Sequence, residues 1–205
     1  MPDNSNSKIK YQPREGDILF QDLDCGDLCT AIKEVTIGID SALFSHIGLV
    51  QKVDDKWVVL EAISDGVKHT ALLDFFKRSQ DKEENPKIWV ARVKKEYVNV
   101  LERINVSDFM GLPYDEAFLM NNGKYYCSEL LYEIFKKANN NHAFFNLEPM
   151  TFKNPKTLQY SPVWVDYYRN LGIKIPEGEL GINPAGISRS EKIEIVYRLG
   201  KVSKR

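Results

Sequence analysis

The side chains in this sequence best suited to chemistry are a cysteine, a histidine and a glutamate. Cys127 sits in Tyr125-Tyr126-Cys127-Ser128-Glu129-Leu130-Leu131, just where an apolar helical repeat begins. At a helix N-terminus the backbone N–H groups lack partners and the dipole is positive. Both favour thiolate over thiol, and the same N–H groups could hold an oxyanion during acyl transfer. The chain has three histidines. His69 and His142 lie in polar, loop-like stretches and read as surface residues. His46 instead opens the apolar run Ser45-His46-Ile47-Gly48-Leu49-Val50, and Gly48, two residues on, leaves room on the same face. The plainer alternatives are an inert buried thiol and a core histidine.

Glu61 links the two. It lies inside Val58-Val59-Leu60-Glu61-Ala62-Ile63, where an unpaired carboxylate is costly to bury. Ser45–Val53 and Lys56–Ile63 read as a hairpin around Asp54-Asp55. With a two-residue loop, Glu61 falls opposite Gly48 and His46 opposite Ile63. His46 and Glu61 then share a face as diagonal neighbours. Glu61 would orient the imidazole and stabilise its protonated form, completing a nucleophile–base–acid triad. An odd-length loop would put the two on opposite faces, and a Glu facing water is the bland alternative.

Several elements must position these groups. Gly16–Phe20 reads as a short buried strand, Cys25–Ile37 as a helix, and Thr70–Lys77 as a short helix with Leu73 and Phe76 inward. Asp81–Asn85 is a charged surface turn. Lys87–Val93 is a strong strand, Tyr97–Met110 a helix broken by Gly111-Leu112-Pro113-Tyr114-Asp115, and Tyr126–Ala138 the best helix. Ser161-Pro162 starts another helix that runs to about Asn170. Gly172–Ser188 reads as ordered loop, and Ile193–Leu199 as a final strand. Strands that mostly neighbour one another, with helices not alternating among them, indicate an α+β fold with a largely antiparallel sheet. Residues 1–12 read as a tail and 13–205 as one domain.

The chain is 205 residues long, 43% hydrophobic and 28% charged, with a formal net charge of -1. That is the profile of a soluble globular protein, with no basic surplus to attract nucleic acid. No apolar run is long enough to span a bilayer, and the N-terminus carries no signal-like apolar stretch. The protein reads as cytoplasmic as it stands, or periplasmic or cell-envelope if a leader has been removed. Cys25 and Cys29 are spaced C-x3-C with no companion ligands for a metal, which leaves a structural role or a disulfide between them. No metal or cofactor is expected. Phe75-Phe76, Phe144-Phe145 and Tyr167-Tyr168 could line an apolar cleft, although such pairs more often fill a core.

Five motifs occur in order: Gly16-Asp17-Ile18-Leu19-Phe20-Gln21, Ser45-His46-Ile47-Gly48, Leu60-Glu61-Ala62, Pro113-Tyr114-Asp115 and Tyr126-Cys127-Ser128-Glu129-Leu130-Leu131. From about Gly16 to Ala138 the chain resembles the circularly permuted NlpC-type papain-like cysteine hydrolases, the YiiX/YebB-like group. Gly181-Ile182-Asn183-Pro184 is also similar to that group. In the unpermuted form the nucleophile precedes the histidine; here His46 precedes Cys127. The resemblance implies a small antiparallel sheet or half-barrel packed on the cysteine-bearing helix. It implies Cys127 as nucleophile, His46 as base and Glu61 as orienting acid. Tyr114, Gln21 and Ser128 would serve substrate or oxyanion. The substrate would be a peptide, a murein-derived fragment or a lipid-like acyl compound, cleaved at an amide or ester. The alternative is a catalytically silent papain-like module that binds a peptide or lipid, and a redox or metal protein built on Cys25 and Cys29 is a third.

Overall fold

The computed structural model describes residues 11–205. Most of the expected tail therefore lies outside the described residues. Tyr11 does not hang free: it is buried against Phe76 and Tyr197 and donates to Asp17 Oδ2 at 2.7 Å.

Six strands form one antiparallel sheet: β1 (Ile18–Gln21), β2 (His46–Val53), β3 (Lys56–Ile63), β4 (Gly66–Ala71), β5 (Ile88–Val93) and β8 (Ile193–Arg198). Their order is β4-β3-β2-β1-β5-β8. A two-stranded patch pairs β6 (Glu148–Pro149) with β7 (Leu180–Gly181). The helices are α1 (Asp27–Val35), α2 (Leu72–Lys77), α3 (Cys127–Ala138), α4 (Pro162–Leu171) and α5 (Pro184–Ser188).

Both faces of the sheet are covered, which is why the strands read as nearly continuous apolar runs. Ile18, Phe20, Ile47, Leu49, Leu60 and Ala62 share a core with Leu130, Leu131, Ile134 and Phe135 of α3. The alternate residues Leu19, Val50 and Val59 pack with Leu72, Phe75 and Phe76 of α2. A third cluster joins α1 to α4 through Ala31, Phe152, Trp164 and Tyr168.

The hairpin that carries the expected acid and base has the expected register. Asp54 and Asp55 both adopt positive φ, at 47° and 60°. That is the two-residue geometry whose twist matches a β-hairpin. Val53 pairs with Lys56 and Leu49 with Leu60, so one step further Gly48 faces Glu61. A Cβ on Gly48 would meet Val59 Cγ1 at 2.4 Å and Phe75 Cε2 at 3.3 Å, so glycine is what admits the close approach of β3 and α2 here.

Three expectations are corrected. Thr70–Lys77 is not all helix, because β4 occupies the chain to Ala71. Ser64 and Asp65 form the two-residue turn from β3 into β4, followed by Gly66 at φ +97° as the first residue of β4, and Asp65-Gly66 is itself a hairpin signal. In the helix that follows, Leu72, Phe75 and Phe76 face inward while Leu73 is 66% exposed. Phe76 keeps the expected inward place, and the face is completed by Leu72 and Phe75, four and one residues before it, instead of by Leu73. Tyr97–Met110 forms a 3-10 helix over Lys95–Arg103 and then turns. Ile104 is extended, and Asn105 Oδ1 accepts from the Ser107 backbone, a local bond that competes with helix. Within the expected loop Gly172–Ser188 lies α5, opened by Asn183, whose Oδ1 accepts from Gly186 N at 2.8 Å, and by Pro184 at the first helical position.

Candidate active site

Cys127 is the first residue of α3 and the only free cysteine; Cys25 and Cys29 are joined in a disulfide. Tyr126, before it, is extended and provides no side-chain cap, so the first-turn amides keep their donors for other acceptors. The chain on either side of the thiol is clamped by one residue. Ile182 N–H donates to Tyr126 Oη at 3.2 Å, and Ser128 Oγ donates to Ile182 O at 2.9 Å. This explains why the Gly181-Ile182-Asn183-Pro184 stretch belongs with the cysteine motif. It also gives Ser128 a structural task at the cavity wall.

His46 and Glu61 are buried, at 5% and 0% exposure. His46 Nε2 and Glu61 Oε2 are 2.7 Å apart. The Nε2 bond leaves Nδ1 as the ring nitrogen available to the thiol. Their strand positions alternate with the residues that face α3, so the pair springs from the α2 side of the sheet, beside Phe75. Cys127 belongs to the core on the other side. The groups meet because His46 is the first residue of β2, where its ring reaches past the strand end to the start of α3. Both line the same cavity.

Electrostatics follow from this packing. Burial works to strip the proton from His46, but the Cys127 thiol and the Glu61 carboxylate outweigh it and lift the imidazole to about 9. For Glu61, burial pushes upward; His46, Arg78 and Thr70 win and hold the carboxyl down at about 2. Thr70 Oγ1 donates to Oε1, and Arg78 Nη2 to Oε2 at 2.6 Å. Sequence reasoning misses both residues. Once Asp65-Gly66 is recognised as a turn, Thr70 falls opposite Val59, diagonal to Glu61. Arg78, just past α2, has no local signal.

The remaining site residues divide. Tyr114 lines the cavity, fixed by backbone pairing of Pro113 and Asp115 with Tyr125; burial, and then the nearby Cys127, raise its hydroxyl well above the ordinary value. Buried Asp115 accepts from Ala117 N and Leu119 N, shaping the turn that presents Phe118 to the cavity. Gln21 does not take the expected oxyanion place. It sits opposite His46 on β1, is fully buried, does not line the cavity, and its Nε2 donates to Phe75 O at 2.8 Å. It braces α2 behind the imidazole.

Glu129, two residues after Cys127, is another residue that sequence reasoning misses. It is 1% exposed, and its Oε2 has no partner among the described residues. Burial raises its carboxyl to about 8, so it is neutral at pH 7 and adds no negative charge beside the thiol. An acid raised from 4.5 to about 8 weakens the fold progressively as pH rises between those values. Glu129→Gln is therefore expected to raise the Tm at pH 8 and to leave it nearly unchanged at pH 4, as read by thermal unfolding at the two pH values.

The cavity measures about 430 Å³. Leu28, Ile32 and Val35 of α1, Phe152, and Trp164 of α4 supply apolar wall, with Cys127 and His46 facing the same space. The paired aromatics considered in the sequence do not line it: Phe75, Phe76, Phe144, Phe145 and Tyr168 are core.

A family model described as "permuted papain-like amidase enzyme, YaeF/YiiX, C92 family" matches residues 12–197. The chain belongs to this family. As a permuted papain-like amidase it is a thiol hydrolase by class. Among solved structures, the chain is similar to the crystal structure of YiiX from Escherichia coli O157:H7, described as a metalloprotein, with a TM-score of 0.69 and 22% identity over 93% of this chain and 100% of that one. That likeness establishes the permuted papain-like fold. A comparison with curated protein sequences returned no match. No helix among the described residues is long and apolar enough to cross a membrane.

Proposed function

We propose that this C92-family amidase uses Cys127 as nucleophile, His46 as general base and acid, and Glu61 to orient and charge the imidazole, acting on an amide or ester that carries an apolar acyl chain. The observation that carries the acyl-chain part is the roughly 430 Å³ cavity, walled by Leu28, Ile32, Val35, Phe152 and Trp164, that opens onto the thiol. Thr36, Thr151, Asn183, Glu148, Arg189 and Arg205 also line the cavity and offer partners for the polar part of such a substrate.

In this scheme Cys127 Sγ, as thiolate, adds to the carbonyl carbon. The tetrahedral oxyanion is held by the first-turn amides of α3. His46 gives its proton to the departing nitrogen or oxygen, the C–N or C–O bond breaks, and a thioester remains on Cys127. Water then attacks the thioester as His46 takes its proton. The tetrahedral intermediate then collapses, the C–S bond breaks, the acid leaves, and Cys127 is returned as thiolate beside the protonated His46.

YiiX is described as a metalloprotein, so the donor groups of this chain must be tested for a metal. Among the described residues no group of three or more His, Cys, Asp or Glu could hold one, and Glu61 already has its oxygens committed to His46, Thr70 and Arg78. The donor set does not fit a resident metal, and no step is routed through one. The Cys25–Cys29 disulfide supports an oxidising compartment, the cell envelope rather than the cytoplasm.

The test is hydrolysis of p-nitrophenyl acyl esters and matching acyl amides from two to sixteen carbons. Expected is a kcat/KM that climbs with chain length until the cavity is filled, by about three-fold or more per two methylenes. Turnover that is flat with chain length overturns the acyl-chain assignment. Binding of these compounds with no turnover by the wild type would return the protein to the silent-module alternative.

A further inference from the structure

A further charge reaches the site from behind. The Arg78 guanidinium and the His46 imidazole bond the same oxygen of Glu61, Nη2 at 2.6 Å and Nε2 at 2.7 Å from Oε2. Thr70 takes the other oxygen. The guanidinium carbon lies 4.6 Å over the Phe75 ring, and that ring lies 5.8 Å from the imidazole. Arg78 is thus held in place by stacking as well as by charge, and it is positive at every working pH.

We propose that Arg78 is a positioning residue that divides the charge of Glu61 between itself and His46, and so sets how readily the imidazolium releases its proton. This rests on the assignment of His46 as the proton carrier. A fully buried carboxylate with one cationic partner would grip the imidazolium and oppose proton transfer to the leaving group. A second cation on the same oxygen absorbs part of that charge. It also keeps Glu61 ionised after His46 has given up its proton. The groups facing the pair are Thr70 from β4, Cys127 from α3, Tyr114 beside Cys127, and Arg78. Lys68, across from Glu61 in register, is turned to Asp65 at 2.9 Å.

The experiment is a titration of the His46 ring by proton–carbon NMR. The three histidines make the assignment tractable by single replacement of His69 and His142. It is run in a Cys127→Ala background, so that it reads the Glu61–Arg78 pair even if Cys127 is not the nucleophile. Arg78→Met, which keeps the stem over Phe75 and loses the charge, is expected to move the His46 midpoint upward by about one unit. Arg78→Lys is expected to hold it within about a third of that shift. If Arg78→Met does not fold, Arg78→Gln replaces it with the same expectation. A midpoint in the neutral variant that stays put or moves down, in protein with a native amide spectrum, overturns the proposal. A purely structural arginine would lower the melting temperature without moving this midpoint.

Discussion

Cys127→Ala is expected to abolish acyl-ester turnover, with a loss of about 10⁴-fold or more in kcat and an unchanged amide spectrum. His46→Ala is expected to cost nearly as much, and the double variant hardly more than either alone. The reason is that the two groups form one unit. Cys127 lies at the start of α3 and His46 at the start of β2, both against one cavity, and the thiol is the largest single influence holding a proton on the buried imidazole. Without either partner the other has nothing to act on. The residual rate that cavity binding and the first-turn amides supply survives in all three variants. Steady-state kinetics on the three proteins is the check, and losses that simply multiply would show that the residues act separately.

Glu61→Ala is expected to produce the largest loss of stability, toward the lower end of about 3–5 kcal/mol. Glu61 is fully buried and holds three donors: His46, Thr70 and Arg78. Removing it strands Arg78 and His46⁺ in a poorly solvated space. Arg78 retains 28% side-chain exposure, so part of its stranded charge is screened, which places the loss at the low end. Glu61→Gln keeps the shape and one acceptor and should cost less. The pH dependence carries its own signature. Glu61 is lowered from 4.5 to about 2, so its contribution is full above pH 4.5 and fades as pH falls through 2. His46 is raised from 6.5 to about 9, so its contribution is full below pH 6.5 and fades as pH rises through 9. Denaturant unfolding of Glu61→Ala should show the acid-side loss between pH 4.5 and 2 flattened, and the alkaline loss reduced, relative to the wild type.

The part of the site carried by local pattern is legible in the sequence. Asp54-Asp55 sets a two-residue hairpin, the hairpin sets the register, and the register puts His46 and Glu61 on one face. The apolar repeat after Cys127 places the thiol at a helix start. What escapes is carried by distant packing. Thr70 is hidden when a helical pattern is extended back over β4, although Asp65-Gly66 marks the turn. Arg78 meets Glu61 only because α2 folds back over β2 and β3. The cavity wall needs α1 and α4 to pack together, and neither periodicity nor spacing relates Ile32 to Trp164. The neighbourhood of Gln21 in its motif suggests an oxyanion role, yet its amide is committed to Phe75 O and does not line the cavity, a contact made by the distant α2 that local pattern does not reveal.

The proposed pairing of a Cys127 thiolate with a His46 imidazolium is read most directly by the rate of Cys127 alkylation by iodoacetamide between pH 5 and 9, followed by intact mass. The disulfide leaves Cys127 as the single thiol to react. An ordinary thiol, with a pKa of about 8.5, is almost wholly protonated at pH 6. At pH 6 Cys127 is expected to react at least ~10-fold faster than free cysteine, and His46→Ala to remove this advantage. A rate that tracks free cysteine across the whole range, unchanged in His46→Ala, would contradict the pairing.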